Sequence, residues 1–233
     1  MNRFVIGDIH VAYKSLVQCL ERSNFNMEED LLITLGDICD GWSEVYESVE
    51  LLLKIKNRID IKGNHDQWFL EFIETGTHGS GWHQGADATF KSYSSRDFII
   101  PEKHVNFFKN QIKYYVDDNK NCFVHGGFNR HYPIAEQPVP YIYYWDRDLW
   151  LQALSHKDIE TPFKIKDDFN NIFIGHTSTT NWKRDQPMKA GNIFNLDTGA
   201  GWDGKLTIMD IDTLRYWQSD NVKTLYKDER GRN

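Results

Sequence analysis

Cysteine, linker sequence, long apolar runs and positive charge are all scarce in this chain, and each scarcity removes a class of protein. Its 233 residues include three cysteines, Cys19, Cys39 and Cys122, widely spaced and without a CxxC pair. Such a set suits neither a disulfide scaffold nor a zinc finger, and reduced thiols in a cytoplasm are the expected state. No Pro/Gly/Ser-rich stretch or break in composition divides the chain, so a single domain over residues 1–233 is expected. No apolar run is long enough to cross a bilayer, and Arg3-Phe-Val-Ile follows the start without an apolar signal segment, so no membrane partner is expected. Lys and Arg number 27 against 34 Asp and Glu, a net charge of −7 that argues against a broad basic surface for nucleic acid. A local cationic pocket remains compatible with that balance, and bound metal ions would create one.

What the chain does have is material for a real core, with 40% hydrophobic and 14% aromatic residues. The organising stretch is Leu31-Leu-Ile-Thr-Leu-Gly-Asp-Ile-Cys-Asp40. It reads as a short apolar strand that stops at Gly36 and delivers two carboxylates, Asp37 and Asp40, onto the loop beyond. Acids at the end of a buried strand are costly unless something cationic meets them. The same grammar recurs on both sides. Residues 3–6 read as a strand ending at Gly7-Asp-Ile-His10, followed by a helical pattern over 13–24. Ser43 is a candidate cap for a helix over 44–56. Residues 58–61 read as a third strand, ending at Lys62-Gly-Asn-His-Asp66, with a helix over 67–74. Three runs of strand, glycine, ligand-type residue and helix predict parallel strands with right-handed crossovers. Ligands in such sheets gather at the carboxyl ends of the strands.

Farther along, residues 76–85 are rich in Gly and His and read as a mobile surface loop, with helical segments at 86–93 and 102–110. Residues 112–116 and 121–124 read as a hairpin whose second strand ends at His125-Gly-Gly127. A Pro- and Tyr-rich excursion over 128–145 is expected to form an irregular lid, before a helix opening at Trp145-Asp-Arg-Asp-Leu-Trp150. Residues 171–174 form another strand, ending at Gly175-His-Thr177, and 193–196, 205–211 and 215–218 read as antiparallel closing strands. The charged end from Lys227 is expected to fray.

Collected from the strand ends, the chemistry-bearing residues are Asp8, His10, Asp37, Asp40, Asn64, His65, His125 and His176. Oxygen and imidazole donors without thiolate suit Mn, Fe, Zn or similar divalent ions. A mixed Asp/His set of this size points to two ions sharing a bridging carboxylate. Such a pair, about 3.5–4 Å apart, grips both the attacking and the leaving oxygen of phosphoryl transfer and acidifies a shared water. Any one of these residues has a plainer reading: an Asp after a strand is commonly a turn or cap residue, and a lone His a core or surface group. Five such strand ends together do not, because burying their polar groups side by side without ions would cost on the order of several kcal/mol.

Gly7-Asp-Ile-His10, Gly36-Asp-Ile-Cys-Asp40, Gly63-Asn-His-Asp66, His125-Gly-Gly127 and Gly175-His-Thr177 resemble, in order, the signature blocks of the calcineurin-like metallophosphoesterases. Within these the resemblance is to the phosphoprotein-phosphatase branch, which includes bacterial and phage serine/threonine phosphatases and diadenosine tetraphosphatase. Asn195-Leu-Asp-Thr-Gly-Ala200 resembles that branch's late strand. The resemblance implies an α/β fold in which two central mixed β-sheets, a β-sandwich, are flanked by α-helices. It implies that Asp8 and His10 bind one ion, that Asp37 bridges both, and that Asn64, His125 and His176 bind the second. His65 would protonate the leaving alkoxide with Asp40 as its orienting partner. Arg147, in a Trp-x-Arg-x-x-Trp segment, would grip phosphate oxygens, a task that suits a guanidinium fork. The plainer reading of Arg147 is a helix ion pair with Asp146 or Asp148.

Two departures from the family pattern matter. The second block of the family continues Asp-Arg-Gly, whereas here Asp40 is followed by Gly41 and Trp42, so one phosphate-contacting arginine is lost. Losing a charge-assisted clamp costs about a few kcal/mol of transition-state stabilisation unless something replaces it. Arg130, close behind His125, is a candidate replacement, and Trp42 could either stack on a base or pack under the helix that follows it. The glycine that usually closes the first block is here Val11. His78, His83 and His131 are expected at the surface, Cys39 as a small buried neighbour of the metal loop, and Tyr141, Tyr143, Tyr144 and Trp145 as a groove lining or a hydrophobic patch under the lid.

The expected function is hydrolysis of a phosphate ester by direct attack of a hydroxide shared by two divalent ions, with Mn favoured over Fe, Zn, Ni or Mg. No phosphoenzyme is expected, because no Ser or Cys nucleophile is placed with a base. The favoured substrate is a phosphorylated protein, as for a serine/threonine phosphatase. The alternatives are a nucleotide of the diadenosine tetraphosphate type or a nucleic-acid end, and, from another class, a non-catalytic metal-binding scaffold. A cytoplasmic monomer is expected.

Overall fold

The computed structural model describes residues 1–232 apart from His78, Ser80, Gly81, Lys157 and Pro162. Period-two alternation in short, doubly buried strands sets the architecture. In β1 (Arg3–Ile6), Phe4 and Ile6 join one apolar cluster and Val5 another. The chain then runs through α1 (Tyr13–Arg22), β2 (Leu31–Thr34), α2 (Val45–Leu53), β3 (Asn57–Asp60) and α3 (Asn64–Thr75). Leu16, Cys19 and Leu20 bury one face of α1, and Val45, Val49 and Leu52 one face of α2, the spacing that the helical period requires. β1, β2 and β3 pair in parallel, with Arg3 opposite Leu31 and Leu31 opposite Asn57.

Two further helices, α4 (Ala86–Ser94) and α5 (Glu102–Asn110), lead to the hairpin of β4 (Tyr114–Val116) and β5 (Asn121–Val124). After α6 (Ile142–Trp145) and α7 (Asp148–His156) come β6 (Asn171–Ile174), β7 (Met188–Ala190) and β8 (Ile193–Asn195). The chain then returns to the first sheet with β9 (Thr207–Asp210) and β10 (Tyr216–Gln218) and ends beyond α8 (Val222–Leu225). The result is two mixed five-stranded sheets, ordered β10-β9-β1-β2-β3 and β4-β5-β6-β8-β7. Val5, Ile33 and Met209 of one sheet meet Phe123, Phe173 and Phe194 of the other in the layer between them. Phe4, Ile6 and Leu32 face α1 and α2 on one outside, while Cys122, Val124, Ile172 and Ile174 face the α6–α7 side on the other. This is the expected pair of mixed sheets flanked by helices.

Several local expectations need correction. α3 begins at Asn64, not at Gln67, so Asn64 and His65 occupy its first turn. Ser43 does not cap α2; its backbone N–H and hydroxyl both donate to the Glu229 carboxylate, each at 2.9 Å. The helix expected to open at Trp145 opens at Asp148; Trp145 instead closes α6, Asp146 breaks out into extended backbone and Arg147 lies in the gap. β8 is parallel to β6, not antiparallel; its antiparallel partner is β7, whose three residues gave too short a pattern to be legible. Residues 76–85 are not all surface loop: Trp82 is buried against Phe69, Phe72 and Phe90, while His78 lies outside the described residues. The excursion at 128–145 buries Phe128, Ile134, Tyr143 and Tyr144 in the cluster behind the second sheet and leaves Tyr141 and Trp145 exposed. Residues 227–232, expected to fray, pack back on the body instead, as described below.

Phe173 lies stacked between Phe123 and Phe194, with ring centroids 5.0 and 5.3 Å away. Phe173→Ala is expected to destabilise the protein by about 3–5 kcal/mol, read from urea denaturation, because the void falls where two rigid sheets cannot close in.

Candidate metal centre

The central strands of both sheets point their carboxyl ends at the same place. β1 delivers Asp8 and His10, β2 delivers Asp37 and Asp40, and β3 runs into Asn64 and His65; β5 delivers His125, β6 His176 and β8 Asp197. Every one of these side chains is buried. The turns that bring them together are strained. His10, Val11, Asp37, Asp40 and His176 all have φ between 44° and 65°, in the left-handed region. Such residues cost on the order of 1–3 kcal/mol each and persist only where the surroundings hold them. Val11, at φ 60°, stands where glycine would be unstrained, which accounts physically for the glycine of the family pattern.

Two groups that could each hold a metal ion share one acid. Asp8, His10 and Asp37 offer donor atoms within 4.8 Å of one another, and so do Asp37, His125 and His176. Individual separations are short: His10 Nε2 is 3.5 Å from Asp37 Oδ2, and His125 Nε2 is 3.4 Å from Asp37 Oδ1. Asn64 Oδ1 lies 3.1 Å from His125 Nε2.

The fixed tautomers test whether this set suits cations. His10 Nδ1 lies 2.8 Å from the Asp40 carbonyl, and His125 Nδ1 lies 2.7 Å from the Leu35 carbonyl. A carbonyl only accepts, so in each ring Nδ1 carries the proton and Nε2 presents a lone pair to the cluster. His176 Nε2 is buried with no partner among the described residues. Lone pairs and carboxylates thus converge with few donors to meet them, the arrangement that divalent cations satisfy.

Electrostatics point the same way. Burial pushes the Asp8 carboxyl well up, helped by Asp197 and Asp37 beside it. Burial also raises Asp37 and Asp197. It drives His10 and His176 well down and His125 to about 4, keeping the imidazoles in their ligating form. Backbone donors offset part of the carboxylate penalty: His65 N–H donates to Asp37 Oδ1 at 3.0 Å from the first turn of α3, and His176 N–H to Asp8 Oδ2 at 3.0 Å.

Beside the ligand sets, His65 Nδ1 lies 2.7 Å from Asp40 Oδ2. Burial pushes His65 down to about 3 and Asp40 up to about 7. Asp40 is held by two residues that sequence reasoning did not single out: the Thr89 hydroxyl and the Trp82 indole N–H both donate to its carboxylate. Asp66, also unassigned from sequence, braces the Asp37–Asp40 loop. Its carboxylate accepts from Ile38 N–H at 2.8 Å and from Gly63 N–H at 3.1 Å.

Arg147 reaches the cluster. Its guanidinium donates to the His176 carbonyl at 2.8 Å and to Thr177 Oγ1 at 3.0 Å, and not to Asp146 or Asp148. It lines a cleft of about 720 Å³ with His176, Asp197, Trp202 and Arg232. Arg130 does not reach it. That side chain donates to Gln152 Oε1 and the Lys164 carbonyl, each at 2.8 Å, and lies over Phe163. Trp42 is fully buried, donates to the Ala200 carbonyl and stacks on Tyr226, so it has no face for a base.

The family model for the calcineurin-like phosphoesterases matches residues 1–204. The chain belongs to that family. It is 36% identical over 216 residues to serine/threonine-protein phosphatase 2 of Escherichia coli (strain K12), covering 89% of this chain and 92% of the relative. It is 25% identical over 249 residues to a bis(5'-nucleosyl)-tetraphosphatase of Bacillus mycoides (strain KBAB4), covering 95% and 93%. Among solved structures, a metallophosphoesterase from Sphaerobacter thermophilus matches with a TM-score of 0.56 at 16% identity, over 94% of this chain and 87% of that one, a likeness of fold. Membership makes this chain a metal-dependent phosphoesterase, and no described helix is long and apolar enough to cross a membrane.

Manganese is expected to raise the melting temperature of the metal-stripped protein. The gain is about 2.7 kcal/mol when free ion reaches a hundred times its dissociation constant. Asp37→Asn is expected to lose both the rise and the metal itself, measured by elemental analysis after gel filtration.

Proposed function

We propose that this calcineurin-like phosphoesterase removes phosphate from phosphorylated serine or threonine in proteins. The observation that carries the reading is the double ligand set sharing Asp37, opening beside Arg147 into a cleft at the surface. The curated relatives named serine/threonine phosphatases support it over most of the chain's length. We read residues 1–233 as one catalytic domain acting as a monomer, since both sheets of one chain supply the cluster. The three buried free thiols suit a cytoplasmic location.

In this reading Asp8 and His10 would hold one ion, Asn64, His125 and His176 would hold the other, and Asp37 would serve both. We take the ions to be manganese. Two divalent ions there would supply Lewis-acid polarisation of the phosphate and an acidified water as nucleophile. The protein's own groups do the rest. Arg147 orients the phosphate oxygens through its fork. His65, its Nδ1 on the Asp40 carboxylate, would take up a proton at Nε2 once Arg232, which meets that atom at 2.8 Å, turns to the phosphate, and would pass it to the leaving oxygen. Trp82 and Thr89 keep the Asp40 carboxylate turned toward that imidazole.

A nucleotide substrate is the second reading, favoured by Trp182 and Trp202 on the wall of the cleft, either of which could stack on a base. The discriminating assay compares a phosphoserine peptide with diadenosine tetraphosphate, and p-nitrophenyl phosphate with its bis ester, all with manganese. Faster turnover of the peptide and the monoester is expected; preference for the dinucleotide would reverse the order, and metal binding without any turnover would leave a scaffold. His65→Asn should retain both metals yet slow an alkyl phosphate about 10²–10⁴-fold, and p-nitrophenyl phosphate much less. An unchanged alkyl rate would remove His65 from the acid role.

A further inference from the structure

The end of the chain returns to the metal centre. Tyr226 stacks on the buried Trp42, with ring centroids 5.0 Å apart, and its hydroxyl donates to the Glu44 carboxylate. Glu229 takes both the N–H and the hydroxyl of Ser43. Arg232 N–H then donates to the Gly201 carbonyl at 2.9 Å, and its side chain enters the cleft. One guanidinium nitrogen lies 3.1 Å from His10 Nε2; the other lies 2.8 Å from His65 Nε2 and donates to Gln84 Oε1 at 2.7 Å. Nε is buried and has no partner among the described residues. The plane stacks near Trp202, 5.0 Å from the ring centroid.

We propose that Arg232 is a phosphate-binding residue of this site, carried in by the C-terminal tail in place of the arginine that the second signature block lacks at Gly41. The proposal rests on the phosphoesterase reading and adds a substrate contact to it. Three observations carry it. The first is spatial exchange. A side chain at position 41 would start 3.5 Å from Arg232 Cγ, so the tail arginine fills the region that a side chain there would enter. Gly41 has φ 133° and a Cβ there would meet the His10 carbonyl, so this backbone cannot carry an arginine at 41 without moving. Gly201 likewise leaves room, since a Cβ on it would press on Arg232 Cδ.

The second is the unused edge of the guanidinium. Nε and one terminal nitrogen form the fork that takes two oxygens of a phosphate. Here Nε has no acceptor, and the terminal nitrogens rest on imidazole lone pairs, at least one of which a metal would claim. With His10 Nε2 given to a metal, Arg232 would lose an acceptor and gain like charge beside it, and an oxyanion across its fork would answer both. The third is convergence. Arg147 and Arg232 line the same cleft beside His176 and Asp197, so a guanidinium from mid-chain and one from the tail reach a single cavity.

The test uses the full chain loaded with manganese. Inorganic phosphate binding is measured by calorimetry, kcat and KM with p-nitrophenyl phosphate, and manganese content by elemental analysis. Arg232→Ala should keep its manganese and its metal-loaded melting temperature, yet bind phosphate about tenfold or more weakly and lose kcat/KM to a similar extent. Arg232→Lys should recover part of both, as a point charge without the fork. Glu229→Ala, which unpins the tail and leaves the guanidinium intact, should weaken phosphate in the same direction. Unchanged phosphate affinity and turnover in Arg232→Ala would overturn the proposal and leave the arginine as a counter-ion to the acids. Faster turnover or tighter manganese binding in that variant would also overturn it, making the tail an inhibitory plug. If the native protein neither binds phosphate nor hydrolyses either aryl ester, the phosphoesterase reading fails first and the proposal with it.

Discussion

The fold depends on a tolerated electrostatic conflict. Asp8, Asp37 and Asp197 are buried together where two sheets meet, with the imidazoles of His10, His125 and His176 among them. Isolated charges in such a place would be protonated or would pull the site open. The protein holds them with backbone donors, left-handed turns and a tight interface of aromatic rings, and leaves the remaining imbalance for cations to settle. Binding free energy from ions is then also folding free energy, so metal content and stability belong to one equilibrium.

Rigidity of the surrounding shell decides what the cluster can do. Carbonyls of Asp40 and Leu35, in the segment that leaves β2, fix the tautomers of His10 and His125, so their orientation is set by the backbone rather than left to solvent. Asp66 ties the loop after β2 to the start of α3, which keeps Asp37 and Asn64 in register. Trp82 and Thr89 perform the same service for Asp40. Asp66 closes the third signature block, whereas Trp82 and Thr89 come from α4 and the loop before it, outside the family's short motifs.

The tail adds a device of a different kind. Its anchors, Tyr226 on Trp42 and Glu229 on Ser43, lie on the block from which an arginine has been lost. A change at one point in the chain and a new contact from its far end thus meet over the same surface. Departure from a motif need not mean loss of the chemistry that the motif supplied, provided another segment can place the same group.

The convergence of these residues was legible because each candidate ligand sits at the end of a short apolar strand with a glycine nearby, and parallel strands bring such ends together. The two-sheet architecture followed from resemblance, and the alternation of Phe4, Val5 and Ile6 agrees with it. What stayed hidden has physical reasons. Asp197 stood within a recognised block, but nothing in its neighbourhood distinguishes an acid that faces the cluster from a turn acid. Trp82 sits in a stretch whose glycines signal a loop, and only packing against Phe69 and Phe72 buries it. Arg130 was attractive through its closeness in sequence to His125, yet the chain turns it toward Gln152. Arg232 is 222 positions from His10. The sequence by itself determined the donor atoms and the strand ends that carry them, since both are local properties of a few residues. Which charge meets the phosphate was decided only by tertiary structure, because a long-range contact depends on where two distant backbones come to lie.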